Sequence, residues 1–198
     1  YTKEGKFQEA EEVYCAILDM QPANADALFL RGNARLGLDD YTGAKEDFDK
    51  VVVMDGKNFD RLIQIYEVLH SYGYKEMGQT YLRAAMEAGG EQMSAYDKGR
   101  MYYYLEEYQS AYLALETAKD QGGAEASLYL GKSYEATGDY NYAASVYNNY
   151  LAKDTSDARI YNQLGLCELA RGDYHAALAA FQSGMQIEGN DVMQSLLF

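Results

Sequence analysis

The chain has 198 residues, 48% hydrophobic and 24% charged, with 21 Tyr, no Trp and a single Pro, enough apolar content to fold and to argue against disorder. Its formal net charge of −14 at pH 7 leaves no clustered basic surface of the kind that nucleic-acid phosphates require. No apolar run approaches the length of a membrane span, and the lack of a visible signal peptide leaves the compartment open, with the cytoplasm favoured.

In chain order, the opening stretch 1–24 reads as half of a helical hairpin. Tyr1 matches the late aromatic of a missing first helix, and Gly5 and Phe7 mark its turn. Ala10, Tyr14 and Ile17 form one stripe at helical spacing, and Pro22 ends the helix. The chain thus opens partway through a unit, which predicts either a fragment of a longer protein or a domain that begins abruptly. Residues 25–58 form a complete unit: Asn24 caps a helix carrying Leu28, Gly32 and Arg35, Tyr41 marks the turn, and Ala44, Phe48 and Val51 line a second helix. Residues 59–91 keep the stripes Leu62, Ile65, Leu69 and Leu82, Ala85, but Tyr66 takes the place of a small residue and Gly78 that of an alanine. That pair predicts two helices held apart at the widest spacing in the chain, and Gly89-Gly90 predicts a bend or loosened joint.

Residues 92–123 carry Gly99, Tyr102, Tyr108, Ala111 and Leu115 at the same positions. Residues 124–157 and 158–191 repeat the pattern closely, with Gly131, Tyr140, Ala143 and Tyr147, then Gly165, Tyr174, Ala177 and Phe181. Residues 192–198 are apolar and read as the start of a further first helix. Because a terminal helix of an array needs a polar outer face, that end predicts either continuation beyond Phe198 or self-association of array ends.

Superposing Gly131 on Gly165 gives an offset of 34 residues. That period, with Leu130-Gly131 and Leu164-Gly165, the Gly-Asp-Tyr turns at 138–140 and 172–174, and the later Ala143 with Tyr147 and Ala177 with Phe181, resembles the tetratricopeptide repeat. The resemblance covers nearly the whole chain. It implies an all-α fold, a right-handed α-solenoid of tandem helix-turn-helix repeats forming one array over 1–198, with the first helix of each pair on a concave face. It also implies a non-catalytic scaffold that binds a protein or peptide ligand there. Carried onto this chain, the groove positions are Phe29, Asn33, Ile63, Gln64, Tyr96, Arg100, Tyr103, Tyr104, Leu128, Tyr129, Lys132, Asn162 and Gln163. Arg100 and Lys132 stand among tyrosines, where they either receive a ligand carboxylate or pair with Asp97 and Glu135. The basic clamp of the chaperone-binding subgroup is not matched: Asn33 fits one position, but Phe29, Asp60 and Gln64 stand where that clamp is cationic.

Other chemistries find little support in the residues. The run Tyr102-Tyr103-Tyr104 suggests base stacking but lacks basic surroundings. His70 and His175 fall in different units with no second ligand at metal spacing, so neither a metal nor a cofactor is expected. No nucleophile elbow, P-loop or dinucleotide fingerprint occurs. Cys15 and Cys167 read as buried small hydrophobes in distant units.

Overall fold

The 3.6-residue stripes become eleven α-helices in a computed structural model, which describes residues 5–118 and 123–197; no strand occurs among the described residues. Contacts divide the chain into two units, Tyr1–Gly90 and Glu91–Phe198, the division falling at the Gly89-Gly90 pair.

The first unit holds α1 (Gly5–Met20), α2 (Ala25–Gly37), α3 (Tyr41–Asp55), α4 (Phe59–Ser71) and α5 (Lys75–Gly89). Helix starts follow from capping side chains: Asn24 accepts from the Ala27 N–H at 2.9 Å and Asn58 from the Arg61 N–H at 3.1 Å. Leu28, Phe48, Val51, Ile65 and Leu69 form the shared core. At the α2–α3 contact a Cβ on Gly32 would lie 2.8 Å from the Phe48 ring, so only glycine lets the ring seat there.

One polar group is buried in this core. Asp47 is fully buried on α3 and accepts from Arg31 at 2.8 and 2.7 Å and from Arg35 at 2.9 Å, both on α2. The arginines continue to α1, Arg35 donating to Glu11 at 2.8 Å and Arg31 lying 3.5 Å from the Cys15 sulfur. Cys15 is therefore half-buried beside a guanidinium rather than sealed in an apolar core, whereas Cys167 is buried as expected.

In the α4–α5 pair the two unusual residues of the sequence meet each other. Tyr66 is buried at 6% exposure, and a Cβ on Gly78 would lie 2.9 Å from its ring and 3.0 Å from its Cα. The helices meet backbone to side-chain root at this point. The missing Cβ of Gly78 makes room for the ring, so the two departures from the pattern compensate each other.

The second unit holds α6 (Ala95–Tyr104), α7 (Tyr108–Ala118), α8 (Gly123–Ala136), α9 (Tyr140–Leu151), α10 (Ala158–Arg171) and α11 (Tyr174–Leu197), after a 3₁₀ turn at Gly90–Gln92. Cβ atoms on Gly99, Gly131 and Gly165 would lie 2.4, 2.3 and 2.5 Å from Leu115, Tyr147 and Phe181. The Tyr147 hydroxyl is buried with its ring and donates to Glu135 at 2.7 Å. Next to this contact, the rings of Tyr112, Tyr134 and Tyr142 stack in sequence at 4.7 and 5.5 Å. Helix α11 runs unbroken to Leu197, through the point where a turn before a further first helix was expected; Gly189 sits inside it and no proline interrupts it.

The turns inside the pairs share one device. Asp39, Gly73, Glu106, Gly138 and Gly172 all have φ between 60° and 87°, the left-handed conformation that reverses the chain in two or three residues. Asp39 and Glu106 adopt it despite their side chains, so these turn carboxylates are there as part of the chain reversal.

Candidate tyrosine-walled cavity

Helix α8 presents Glu125, Leu128, Tyr129 and Lys132 at i, i+3, i+4 and i+7, one continuous stripe. The last turn of α6 brings Tyr103 and Tyr104 to one side of that stripe, and the first turns of α10 bring Ala158, Arg159, Asn162 and Gln163 to the other. Together these residues enclose a cavity of about 440 Å³.

The α6 side is aromatic. The Tyr103, Tyr104 and Tyr129 rings meet edge to face at centroid distances of 5.5, 5.4 and 5.9 Å, and the Tyr104 and Tyr129 hydroxyls lie 3.0 Å apart. Mutual contact fixes the three rings before any ligand arrives. The α10 side is polar: Asn162 is exposed, Gln163 half-buried, and Arg159 donates to both Asp157 and Glu125. Those two carboxylates raise the Arg159 pKa, and the Arg159 guanidinium in turn holds Asp157 below the usual carboxylate range. Lys132 is half-buried between the two sides and forms no ion pair among the described residues. Glu135, three residues on, is pushed up by burial; its bond from Tyr147 and the Lys132 charge pull the other way.

Of the positions expected from sequence, Tyr103, Tyr104, Leu128, Tyr129, Lys132, Asn162 and Gln163 come together here. Tyr96 and Arg100 belong to the same unit but not to this cavity. The Arg100 guanidinium lies 4.5 Å over the Tyr96 ring and 2.8 Å from Asp97, with which it pairs. In the first unit, Phe29 is half-buried 6.2 Å from Phe48 under the Arg61 guanidinium, Asn33 is half-buried, Gln64 exposed and Ile63 buried at 5%. Ile63 therefore offers a ligand almost no surface.

Sequence reasoning missed Glu125 and Arg159. A signal existed, since they are 34 residues apart, the repeat period, and so occupy the same position with opposite charge on successive first helices. Asp26 and Arg61 form a similar pair between α2 and α4 at an offset of 35, one place off that period. Among the described residues, no group of His, Cys, Asp and Glu is placed to hold a metal ion, and no helix is long and apolar enough to cross a membrane.

Helical hairpins recurring every 32 to 34 residues, small residues facing bulky ones and a wall built from first helices define a helical-repeat scaffold. The tetratricopeptide repeat family model matches residues 1–59, 96–158 and 130–186. The chain belongs to the tetratricopeptide repeat family. The span 60–95 outside those matches contains Tyr66 and Gly78. Solved structures of similar fold include BtubC (BKLC) from P. vanneervenii, at 16% identity over 95% of this chain and 90% of that one with a TM-score of 0.59. MamA, residues 41 to the end, from Desulfovibrio magneticus RS-1 is 17% identical over 91% of this chain and 96% of that one, with a TM-score of 0.55. YrrB, described as a TPR protein with an unusual peptide-binding site, is 16% identical over 95% of this chain and 100% of that one, with a TM-score of 0.50. At these identities the likeness is one of fold. No curated protein matches the sequence. The family supports a protein-interaction role, and its members are generally non-catalytic scaffolds.

Proposed function

We propose that this protein is an interaction scaffold that binds a peptide segment of a partner protein, with the tyrosine-walled cavity of the second unit as the principal contact. One observation carries the reading: three half-buried tyrosines fixed against one another beside Lys132, opening toward the amides of Asn162 and Gln163. Rigid aromatic area with hydrogen-bonding tips is what recognition surfaces concentrate. The fold likeness to YrrB, a TPR protein with a peptide-binding site, supports the same role.

The test is a binding titration of the full chain with Tyr103→Ala and Tyr129→Ala, singly and together. Partner affinity should fall by about 2 kcal/mol for the pair, the scale of a truncated aromatic hot spot, with helicity by circular dichroism unchanged. Unchanged affinity refutes the reading. Light scattering on the same samples separates it from self-association through the array ends: a chain that stays monomeric while binding its partner removes that rival.

A further inference from the structure

The cavity does not present its charges evenly. Lys132 stands without an ion-pair partner among the described residues, whereas Arg159 on the facing helix is held by its neighbour Asp157 and by Glu125 from the same stripe as Lys132. Both members of the Arg159–Glu125 pair are well exposed, at 59% and 46% of their side-chain surface. Exposed pairs of this kind are weak, so a competing carboxylate displaces one at little cost.

The geometry points to Glu125 as an internal stand-in for a carboxylate of the ligand. The peptide that fits, resting on the peptide-binding reading above, places an aromatic or large apolar side chain on the α6 tyrosines. It places one acidic side chain between Lys132 and Arg159, and Glu125 swings out as that group enters. Successive first helices are spaced by roughly 8–10 Å, and an extended chain covers about 3.3 Å per residue. An aromatic on α6 and a carboxylate between α8 and α10 lie one to one and a half such spacings apart, so the two recognised side chains are roughly three to four residues apart. The site takes a single carboxylate and not an acidic run. Glu125 and Asp157 line or flank the cavity, and the chain as a whole carries a formal charge of −14, so each further acidic residue meets repulsion.

Selection from a displayed library of random ten-residue peptides on the immobilised full chain tests this. The wild type should enrich an aromatic residue with Asp or Glu roughly three or four positions away. Against the best selected peptide, Glu125→Gln should bind about two- to fivefold more tightly, the scale of an exposed ion pair removed from competition. Lys132→Gln should bind about tenfold more weakly, and selection on it should keep the aromatic while losing the acid. Both side chains line the cavity and lie outside the apolar core, and circular dichroism checks that the fold is intact. Enrichment of the aromatic alone, or an unchanged or weaker affinity for Glu125→Gln, overturns the stand-in role and leaves the tyrosine site standing. Failure to enrich any motif overturns the peptide-binding reading itself.

Discussion

The α4–α5 and α8–α9 pairs solve one packing problem from opposite sides. In α8–α9 the first helix supplies the gap, at Gly131, and the second supplies the ring, Tyr147. In α4–α5 the first helix supplies the ring, Tyr66, and the second the gap, Gly78. What the hairpin requires is one bulky and one absent side chain at the crossing, not a fixed order of the two. The two solutions still differ in what an added atom meets. At Gly131 it meets a fully buried ring tethered by its hydroxyl to Glu135, whereas at Gly78 it meets ring and backbone together.

The largest break in this comparison should come from Gly131→Val. The new branches enter the space of Tyr147, which is locked by burial and its bond to Glu135, and overpacking of this kind costs about 3 kcal/mol. Urea unfolding should show that loss, and Tyr147→Ala in the same chain should recover part of it. Gly78→Ala should cost about 2 kcal/mol, net of the better helix propensity of alanine. A cycle with Tyr66→Gly should show coupling of about 1 kcal/mol between the two sites. Additive losses would mean that the ring and the gap are not one device.

The turns provide a control. Gly73 and Gly138 have φ of 87° and 83° with no atom near enough to clash, so alanine at either should cost the same, about 1 kcal/mol. Unequal losses would place part of the difference between the pairs in their turns. The smallest effect is a pH dependence at Glu135. Burial raises its pKa in the folded chain, so the folded state holds the proton more tightly than the unfolded state. Stability from this group is full below its ordinary value of 4.5 and is lost as pH rises through the shifted one. Glu135→Gln should flatten that slope in unfolding curves measured across the window.

The period, the helix caps and most of the crossing residues were legible, because each is written within a few residues of where it acts. Asn24 precedes the N–H it accepts from by three positions, and the 34-residue offset places Gly131 and Gly165 in like surroundings. What escaped were properties of pairs. Tyr66 and Gly78 each look defective alone, and only their juxtaposition shows one filling the space the other vacates. Tyr103, Tyr104 and Tyr129 were picked out as non-packing positions on first helices, but their hydroxyl and edge contacts needed coordinates. Arg100 is ambiguous in the sequence because Asp97 stands one turn away, and the two form an ion pair. Glu125 and Arg159 could have been paired by reading the repeat period for charge as well as for bulk.

A chain of look-alike hairpins risks docking one hairpin against the wrong neighbour. Asp47 marks the α2–α3 hairpin as unlike the rest: the matching second-helix positions are Tyr81, Ala114, Val146 and Ala180, and those matching Arg31 are Ile65, Lys98, Leu130 and Leu164. A swap of α3 onto another first helix, or a slip of one turn, about 5.4 Å, would strand its carboxylate away from both guanidiniums, an uncompensated buried charge. A single acid in the α2–α3 hairpin thus acts as an address label, telling similar segments which two helices belong together.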